Sequence, residues 1–349
     1  MVGGFLGAGK TTLLLAAAEE LRRRGMRPAV ILNDQGEDLV DTTVARLQGL
    51  EAQDVTGGCF CCRFSDLLRA MNRVAVHSPD VILAEPVGSC TDISATILQP
   101  LQEYSASWRL APYTVLVDPS RADLLFGENA DENQRFLFLK QIEEADLICA
   151  TKADLYPSTP ERFGSHVRRI SAKTGVGVAE WLDEVTSASL HAGSKLLEID
   201  YERYAEAEAA LVWLNLRAHV QLEEAKCPAD FLFPLFDRLH GQLTAKGIDI
   251  VHMKAVDQTA AGFVKIAACG NAQSPEISGC ASSECSSDHQ LLVNIRAVGP
   301  AHSVREIVET NMHQLTGDPT GFTIACFHPS PPKPERRASQ LWRPRIGST

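Results

Sequence analysis

The sequence predicts a doubly wound α/β domain with a parallel sheet, followed by a small α+β domain. Two observations indicate the first domain. A glycine-rich phosphate-binding loop opens the chain at residues 4–12, and short apolar runs then alternate with amphipathic helical stretches up to about Val185. Continuous apolar runs are typical of strands buried on both faces of a parallel sheet, where ligands bind at the carboxyl ends. Beyond Ser187 longer strands surround two helices.

The opening loop fits the pattern G-x-x-x-x-G-K-[ST]. Its glycines tolerate positive φ angles, so consecutive backbone N–H groups can converge on a phosphate at the start of the helix that follows. Lys10 adds a positive charge for the outer phosphates and for catalysis, and the Thr11 hydroxyl is suited to Mg²⁺. The nucleotide-binding residues predicted here are Gly4, Gly7, Ala8, Gly9, Lys10, Thr11 and Thr12.

A phosphate loop normally follows a buried strand, but only Met1 and Val2 precede Gly3. We therefore expect the central strand to be missing, with either lower stability than that of related proteins or an incomplete site as the consequence. This leaves open whether the N-terminus is truncated before its first strand.

The remaining elements follow from apolar periodicity and turn residues. In the first domain we predict strands at 27–33, 81–85, 113–118 and 146–151, and helices at 11–24, 64–76, 92–104, 132–144 and 178–187. In the second we predict strands at 211–222, 248–256, 262–268, 291–298 and 322–327, and helices at 229–246 and 303–315. The domain bounds are 1–187 and 188–328, with a Cys/Ser-rich insertion at 270–289. The Pro- and Arg-rich tail, 329–349, is predicted to be disordered.

The composition narrows the classes of partner and compartment. The 349 residues carry a net charge of −11, which argues against nucleic acid held by bulk electrostatics. We find no apolar run of membrane-spanning length in the sequence, and we expect no signal peptide, because the first residues lack a basic region followed by an apolar stretch. We expect a cytoplasmic protein, in which ten cysteines indicate metal or redox chemistry rather than a disulfide framework. Whether it forms a homo-oligomer stays open.

Two short segments predict that the nucleotide is GTP. Thr151-Lys152-Ala153-Asp154 fits [NT]-K-x-D and follows a predicted strand, and Ser171-Ala172-Lys173 resembles the second guanine loop of GTPases. A carboxylate at Asp154 can accept hydrogen bonds from two N–H groups of guanine, a pair that adenine lacks, while the Lys152 stem covers the base. The guanine-binding residues predicted are Thr151, Lys152, Asp154, Ser171, Ala172 and Lys173.

Glu85 ends the predicted strand in Glu85-Pro86-Val87-Gly88. At that position a carboxylate can bind Mg²⁺ through water or orient the attacking water, so Glu85 is the second predicted catalytic residue. Because no glutamine occupies an evident water-orienting position, we expect slow intrinsic hydrolysis to GDP and phosphate.

Three thiols occur within four positions in Gly57-Gly58-Cys59-Phe60-Cys61-Cys62. Thiolates favour Zn²⁺ or Cu⁺, and three ligands leave a position open, which suits metal transfer. Adjacent Cys61 and Cys62 are less suited to one ion, so one of them is a candidate exchange ligand, and a redox or buried-thiol loop is the alternative. Cys90 can either meet this loop or pack as an ordinary buried thiol.

These segments together resemble the CobW-type metal-chaperone GTPases, relatives of the UreG and HypB nickel-insertion proteins. The likeness covers about Met1 to Val185 and includes Asn33-Asp34-Gln35-Gly36-Glu37, which looks like the family's switch region. The resemblance implies that Glu37, with Asp34, lies near Mg²⁺ or the transferred metal. This chain departs from the family's usual Glu at Asp34 and from its usual Glu-Thr-Thr-Gly at residues 85–88.

The resulting hypothesis is a GTP-hydrolysing metallochaperone that uses GTP, Mg²⁺ and a transition metal, with zinc favoured by the thiolates, and serves an unidentified client metalloprotein. Cobalt handling for corrinoid synthesis, a phosphate-loop small-molecule kinase and a non-catalytic metal buffer are the alternatives. In the insertion, Cys280, Cys285 and His289 are a candidate second zinc site, with a flexible loop as the alternative reading.

Overall fold

The computed structural model describes residues 1–37, 39–104, 108–156, 158, 163, 167–187, 191–272, 274–280, 284–316 and 321–338. The chain divides into two compact units. The first contains residues 1–34, 48–207 and 331–349, and the second contains residues 35–47 and 208–330. The boundaries differ from the predicted ones, because the first unit extends to Ala207 and an internal segment belongs to the second.

The first unit contains two short sheets where the sequence predicts one, and all of their strands pair in parallel, as the apolar runs predict. Their strands are β1 (Val2–Gly4), β2 (Pro28–Asn33), β3 (Glu51–Val55), β4 (Val81–Glu85), β5 (Thr114–Val117), β6 (Leu147–Ala150) and β7 (Arg168–Arg169). The strand orders are β1-β5-β6-β7 and β3-β2-β4, with every pairing parallel. Because β1 also lies next to β4, the two sheets are neighbours. The strand expected to be missing is present, since β1 pairs with β5 over all three of its residues.

Helices cover these sheets. They are α1 (Lys10–Arg23), α3 (Phe64–Ala75), α4 (Gln99–Tyr104), α5 (Pro119–Phe126), α6 (Glu132–Glu144), α7 (Val178–Thr186) and α8 (Tyr201–Ala209), with a π-helical stretch at Ser94–Leu98 before α4. The apolar face of α1, which includes Leu14 and Ala18, is fully buried against β1, β2 and β4. The helix α3 packs on β2 and β3, and α6 on β1. The carboxyl ends of the strands thus carry the loops that hold the predicted motifs.

The second unit is built on one six-stranded antiparallel sheet. Its elements are α2 (Val40–Leu47), β8 (Leu211–Lys226), α9 (Pro228–Ala245), β9 (Asp249–Thr259), β10 (Gly262–Ala268), β11 (Glu276–Gly279), β12 (Ser286–Val298), α10 (Ala301–Thr316) and β13 (Phe322–Phe327). The strand order is β11-β10-β9-β12-β8-β13, and α9 and α10 pack on the sheet around one apolar core. All five predicted strands and both helices are present.

Two regions of this unit differ from the predictions. Part of the insertion at 270–289 is ordered as strand, because β11 pairs with β10 and β12 already begins at Ser286. The helix α2, on the segment 35–47, is held here by Asp41, which forms ion pairs with Lys254 and, at 3.0 Å, with Lys265. No membrane-spanning helix is found: within the described residues, none combines the length and apolarity that a span requires.

Candidate functional site

The phosphate loop joins β1 to α1 and has the predicted backbone form. Gly4, Gly7 and Gly9 have φ angles of 132°, 81° and 89°, which are accessible to glycine at little cost. The helix α1 begins at Lys10, and among the described residues no side chain caps its N-terminus. Because the first N–H groups of a helix need acceptors, this end is suited to an anion such as phosphate.

Side chains with oxygen and ammonium groups meet behind this loop. The Thr11 hydroxyl donates a 2.8 Å hydrogen bond to Glu85 at the end of β4, and the Lys10 ammonium lies 3.8 Å from the same carboxylate. Lys10 and Thr11 are only 6% and 5% exposed. Hydroxyl and carboxylate oxygens are the protein ligands that Mg²⁺ prefers, so the donor set at Thr11 and Glu85 fits this ion. Bound Mg²⁺ would supply charge neutralisation for the phosphates of a nucleotide.

The segment after Glu85 closely approaches Lys10. A Cβ atom at Gly88 would lie 3.0 Å from the Lys10 ammonium and 2.8 Å from a methyl group of Leu6. A side chain at residue 88 would therefore displace the lysine. The position of the segment is set by buried Gln141, whose amide donates to the carbonyl oxygens of Gly88 at 3.0 Å and Cys90 at 2.9 Å. Sequence reasoning missed Gln141, because one polar residue on a helix has no distinguishing pattern.

The two predicted guanine segments lie together after β6 and β7. The Ser171 hydroxyl donates a 2.6 Å hydrogen bond to Asp154, and the Ala153 N–H donates to the Ile170 carbonyl at 3.2 Å. Lys152 has a positive φ of 54° and pairs at 3.1 Å with Asp118, a buried carboxylate directly after β5. Asp118 was not among the predicted site residues, although its place after an apolar strand is a usable signal. The positions of Ala172 and Lys173 in the turn after Ser171 agree with a loop, but their roles stay predictions.

The predicted thiol loop follows β3 and brings its three sulfurs together. The Sγ atom of Cys59 lies 2.7 Å from that of Cys61 and 3.3 Å from that of Cys62, and the Cys61 and Cys62 sulfurs are 3.7 Å apart. Cys59 and Cys61 are buried and Cys62 is half-buried. Adjacent Cys61 and Cys62 thus face one point, contrary to the expected poor fit. Within the described part of the chain this is the only such convergence of possible metal ligands.

Electrostatics within the cluster favour a single thiolate when no metal is bound. Hydrogen bonds from the neighbouring thiols lower the pKa of Cys59 well below its usual value. The pKa of Cys62 is raised to about 12, chiefly because its thiol donates to Cys59, and the pKa of Cys61 is raised for the same reason. A divalent ion would replace the shared protons, since thiolates are the metal-binding form.

The thiol loop is shaped by Asn33 at the end of β2. Its amide donates 2.8 Å hydrogen bonds to the carbonyl oxygens of Val55 and Gly58, and its side-chain oxygen accepts one of 2.7 Å from the Phe60 N–H. Asn33 also begins the segment that resembles a switch region, so one residue belongs to both features. Glu37, further along that segment, lies in the second unit, where its carbonyl oxygen accepts from Asn215. Its metal-binding role stays a prediction from the family resemblance.

Part of the C-terminal tail covers the thiol loop. The Lys333 N–H donates a 3.0 Å hydrogen bond to the Cys62 sulfur, and the Glu335 N–H donates to the Cys61 carbonyl at 2.9 Å. Glu335 in turn accepts from the Ser65 N–H and hydroxyl, and Arg337 pairs with Asp92 at 2.8 Å. The prediction of disorder from residue 329 therefore does not describe residues 331–338, because specific polar contacts compensate for their low apolar content. Residues 339–349 lie outside the described residues.

The candidate zinc set in the insertion is not assembled. Both ring nitrogens of His289 are already engaged, Nδ1 with Asp257 at 2.6 Å and Nε2 with the Ser286 carbonyl at 2.8 Å, and the ring is fully buried. Cys280 and Cys285 are exposed. His289 is therefore a structural residue of β12 rather than a metal ligand.

The fold and these loops define a phosphate-loop nucleotide-binding protein with a thiol cluster at the carboxyl end of the neighbouring parallel sheet. Residues 1–176 match the family model described as the CobW/HypB/UreG nucleotide-binding domain. The chain therefore belongs to the CobW/HypB/UreG family, as the resemblance indicated.

Curated relatives agree with this membership. The chain is 30% identical over 186 residues to the zinc chaperone YjiA of Escherichia coli. The matched region covers 50% of this chain and 55% of YjiA. It is 30% identical over 169 residues to the zinc chaperone YeiR of the same organism. That match covers 46% of this chain and 47% of YeiR. A zinc-regulated GTPase metalloprotein activator of Schizosaccharomyces pombe is 27% identical to the chain, and the match covers 44% of this chain and 38% of the activator. The chain thus spans about half the length of the curated relatives it matches.

Solved structures of the same family are also similar. Zinc-bound YjiA GTPase from E. coli is 16% identical with a TM-score of 0.33, covering 90% of this chain and 97% of that one. HypB from Archaeoglobus fulgidus is 18% identical with a TM-score of 0.37, and the match covers 52% of this chain and 85% of HypB. Scores this low support no residue-level inference.

Proposed function

We propose that this protein binds and hydrolyses GTP and uses the nucleotide state to control the binding and delivery of a transition metal, zinc above all. The observation that carries the proposal is the convergence of three thiols on a loop held by Asn33, at the carboxyl end of the sheet that neighbours the sheet of the phosphate loop. The names of the relatives, zinc chaperones and GTPases, support the same function.

In this proposal the residues have separate tasks. The N–H groups at the start of α1 and the Lys10 ammonium bind the phosphates, and Asp154, oriented by Ser171, accepts hydrogen bonds from guanine. Thr11 and Glu85 hold Mg²⁺, and Glu85 also orients the attacking water. Turnover is slow in the isolated protein, and a client metalloprotein receives the metal. The ten free cysteines suit a reducing compartment such as the cytoplasm.

The central experiment is a zinc titration against a chromophoric chelator, with and without GTP. We compare the wild type with the Cys59→Ser/Cys61→Ser/Cys62→Ser variant. The Cys280→Ser/Cys285→Ser variant is the control, because it removes exposed thiols outside the cluster. We expect the triple variant alone to lose tight binding, and GTP to change the affinity of the wild type. Equal affinities in all of these conditions would refute the proposal.

Two further measurements address the alternatives. The same titration with Co²⁺ compares cobalt with zinc directly, and thiolates are expected to favour zinc. Release of phosphate from GTP without an added acceptor separates hydrolysis from kinase activity. We expect Glu85→Gln to reduce this release by about 100-fold while GTP still binds. Phosphate release at the wild-type rate from Glu85→Gln would contradict the role given to this carboxylate.

A further inference from the structure

Cys90 lies beside the thiol cluster, although it is distant from it in sequence. Its thiol is within hydrogen-bonding reach of both Cys59 and Cys61. Cys90 is 1% exposed, so its thiol is shielded from solvent like those of Cys59 and Cys61. A soft sulfur from a second chain segment thus lies beside the thiols of Cys59 and Cys61.

The position of Cys90 is fixed by backbone contacts rather than by the thiols alone. Its N–H donates to the Val87 carbonyl at 2.9 Å, which closes a tight turn, and its own carbonyl accepts from Gln141 at 2.9 Å. Gln141 is buried on α6, so the turn is anchored to a helix. A ligand on such a support is held in place before the metal arrives.

The surroundings of the cluster also suit bound thiolates. Backbone N–H groups point at sulfur on both sides, since Cys59 accepts from the Cys62 N–H and Cys62 accepts from the Lys333 N–H at 3.0 Å. Such N–H donors stabilise the negative charge that several thiolates share around one ion. Apolar side chains such as Phe60 and Phe64 are fully buried beside the loop and limit access of water.

We propose that Cys90 is a fourth metal ligand and that this protein binds Zn²⁺ through the four thiolates of Cys59, Cys61, Cys62 and Cys90. The inference rests on the proposed function and extends it, because a closed four-sulfur site replaces an open three-sulfur one. Each thiol that is still protonated loses its proton to solvent when the ion binds.

A ligand at Cys90 also gives the metal a short route to the nucleotide site. Cys90 is two residues after Gly88, where an added Cβ atom would lie 3.0 Å from the Lys10 ammonium. Movement of this turn when nucleotide binds would shift one of four ligands, converting tight holding into release. Loss of this one bond would open a coordination position for an incoming ligand while the three loop thiols still hold the ion, and exchange of those three thiolates would complete the release.

The first test uses the wild-type protein loaded with Zn²⁺ and counts sulfur neighbours by X-ray absorption. We expect four sulfurs at the zinc–thiolate distance of about 2.3 Å. Three sulfurs with an oxygen or nitrogen neighbour would overturn the proposal. This measurement needs no variant, so impaired folding does not affect it.

The second test compares Cys90→Ser with Cys149→Ser, which alters an equally buried thiol in β6. For Cys90→Ser we expect three sulfurs, a Zn²⁺ affinity lower by about 100-fold and a charge-transfer band of the Co²⁺ form weakened in proportion to one lost thiolate. Cys149→Ser should retain wild-type values. Unchanged coordination in Cys90→Ser would refute the fourth ligand alone, whereas unchanged binding in the triple variant of the loop would refute the proposed function.

Discussion

The side-chain oxygen of Asn33 accepts a 2.7 Å hydrogen bond from the backbone N–H of Phe60, between two cysteines of the thiol loop. Since Asn33 ends β2 and Phe60 lies beyond the end of β3, this bond spans two neighbouring strands. The amide of Asn33 binds two further carbonyl groups, so one buried side chain determines the path of the loop.

Asn33→Ala is therefore expected to lower Zn²⁺ affinity by about 10- to 100-fold, because residues that orient metal ligands contribute on this scale. The buried groups left unpaired should also reduce the free energy of unfolding by about 2–4 kcal/mol. Competition with a chelator and urea unfolding measure the two effects.

The matched control is Asn271→Ala, which removes hydrogen bonds to Ile250 and Ile248 in the second unit. It should reduce stability without changing zinc affinity. An Asn33→Ala protein that binds zinc as the wild type does would show that the loop holds its shape without this residue.

Asp154→Asn tests the guanine assignment. The carboxylate is expected to accept two charge-assisted hydrogen bonds from the base, so its loss should weaken GTP binding by about 100-fold or more. The amide of asparagine can donate to the additional carbonyl of xanthine, and we expect a relative gain for xanthosine triphosphate. Fluorescent nucleotide titration measures both. Asp183→Asn, at an exposed position of α7, is the control, and equal GTP affinity in the two variants would contradict the assignment.

Because residues 331–338 of the tail cover the thiol loop, we expect them to protect the Cys62 thiol from alkylation. Glu335→Ala with Arg337→Ala removes the bonds to Ser65 and Asp92, and about 30-fold faster alkylation of Cys62 is expected, because about 1 kcal/mol is lost for each of the two contacts. Mass spectrometry of alkylated peptides measures the rate. Glu309→Ala, which breaks an ordinary surface pair with Arg305, should leave it unchanged. If the double variant reacts no faster, the tail does not shield the sulfur.

The raised pKa of Glu144 leads us to expect that the free energy of unfolding depends on pH. Burial raises its pKa from 4.5 to about 8, and the nearby charge of Asp92 adds to the shift. Between these pH values the folded protein keeps a proton that the unfolded chain releases. The contribution of Glu144 to the free energy of unfolding is therefore fully present below pH 4.5 and falls by about 1.4 kcal/mol per pH unit as pH rises towards 8.

Glu144→Gln keeps an acceptor for Thr91 and Ser94 but has no titrating proton. The variant should thus lose this slope and exceed the wild type in stability above pH 8. Denaturant unfolding between pH 5 and pH 9 measures the difference. Glu143→Gln, at the exposed neighbouring position, should follow the wild-type curve. Parallel curves for wild type and Glu144→Gln would contradict the raised pKa.

The sequence was sufficient to predict an element or a site residue where a strong residue pattern coincided with local structure. The phosphate loop needs only its glycines and the following helix, and three close thiols are forced together by their spacing. Strands such as β5 and β6 were predictable because nearly all of their residues are apolar and buried. The same rule missed β3, whose Glu51, Gln53 and Asp54 are half-buried on an edge strand.

Other site residues depend on contacts that no local pattern encodes. Gln141 reaches the Gly88–Cys90 turn from a helix more than fifty residues away in sequence, and Lys333 reaches Cys62 over 271 residues. The tail composition predicted disorder because it is rich in proline and charge. Tertiary hydrogen bonds to backbone groups overrode that tendency, and only the structure reveals them.

The ion pairs of Asp41 with Lys254 and Lys265 have a practical consequence for dissecting the protein. The chain leaves the first unit after Asp34, contributes α2 to the second, and returns at Gln48, while its far end joins the first unit again. No single cut yields either unit whole. A fragment ending near residue 187 would retain Asp41 without its two lysines and would lack the tail, so autonomous expression of the nucleotide-binding half requires a graft that replaces residues 35–47.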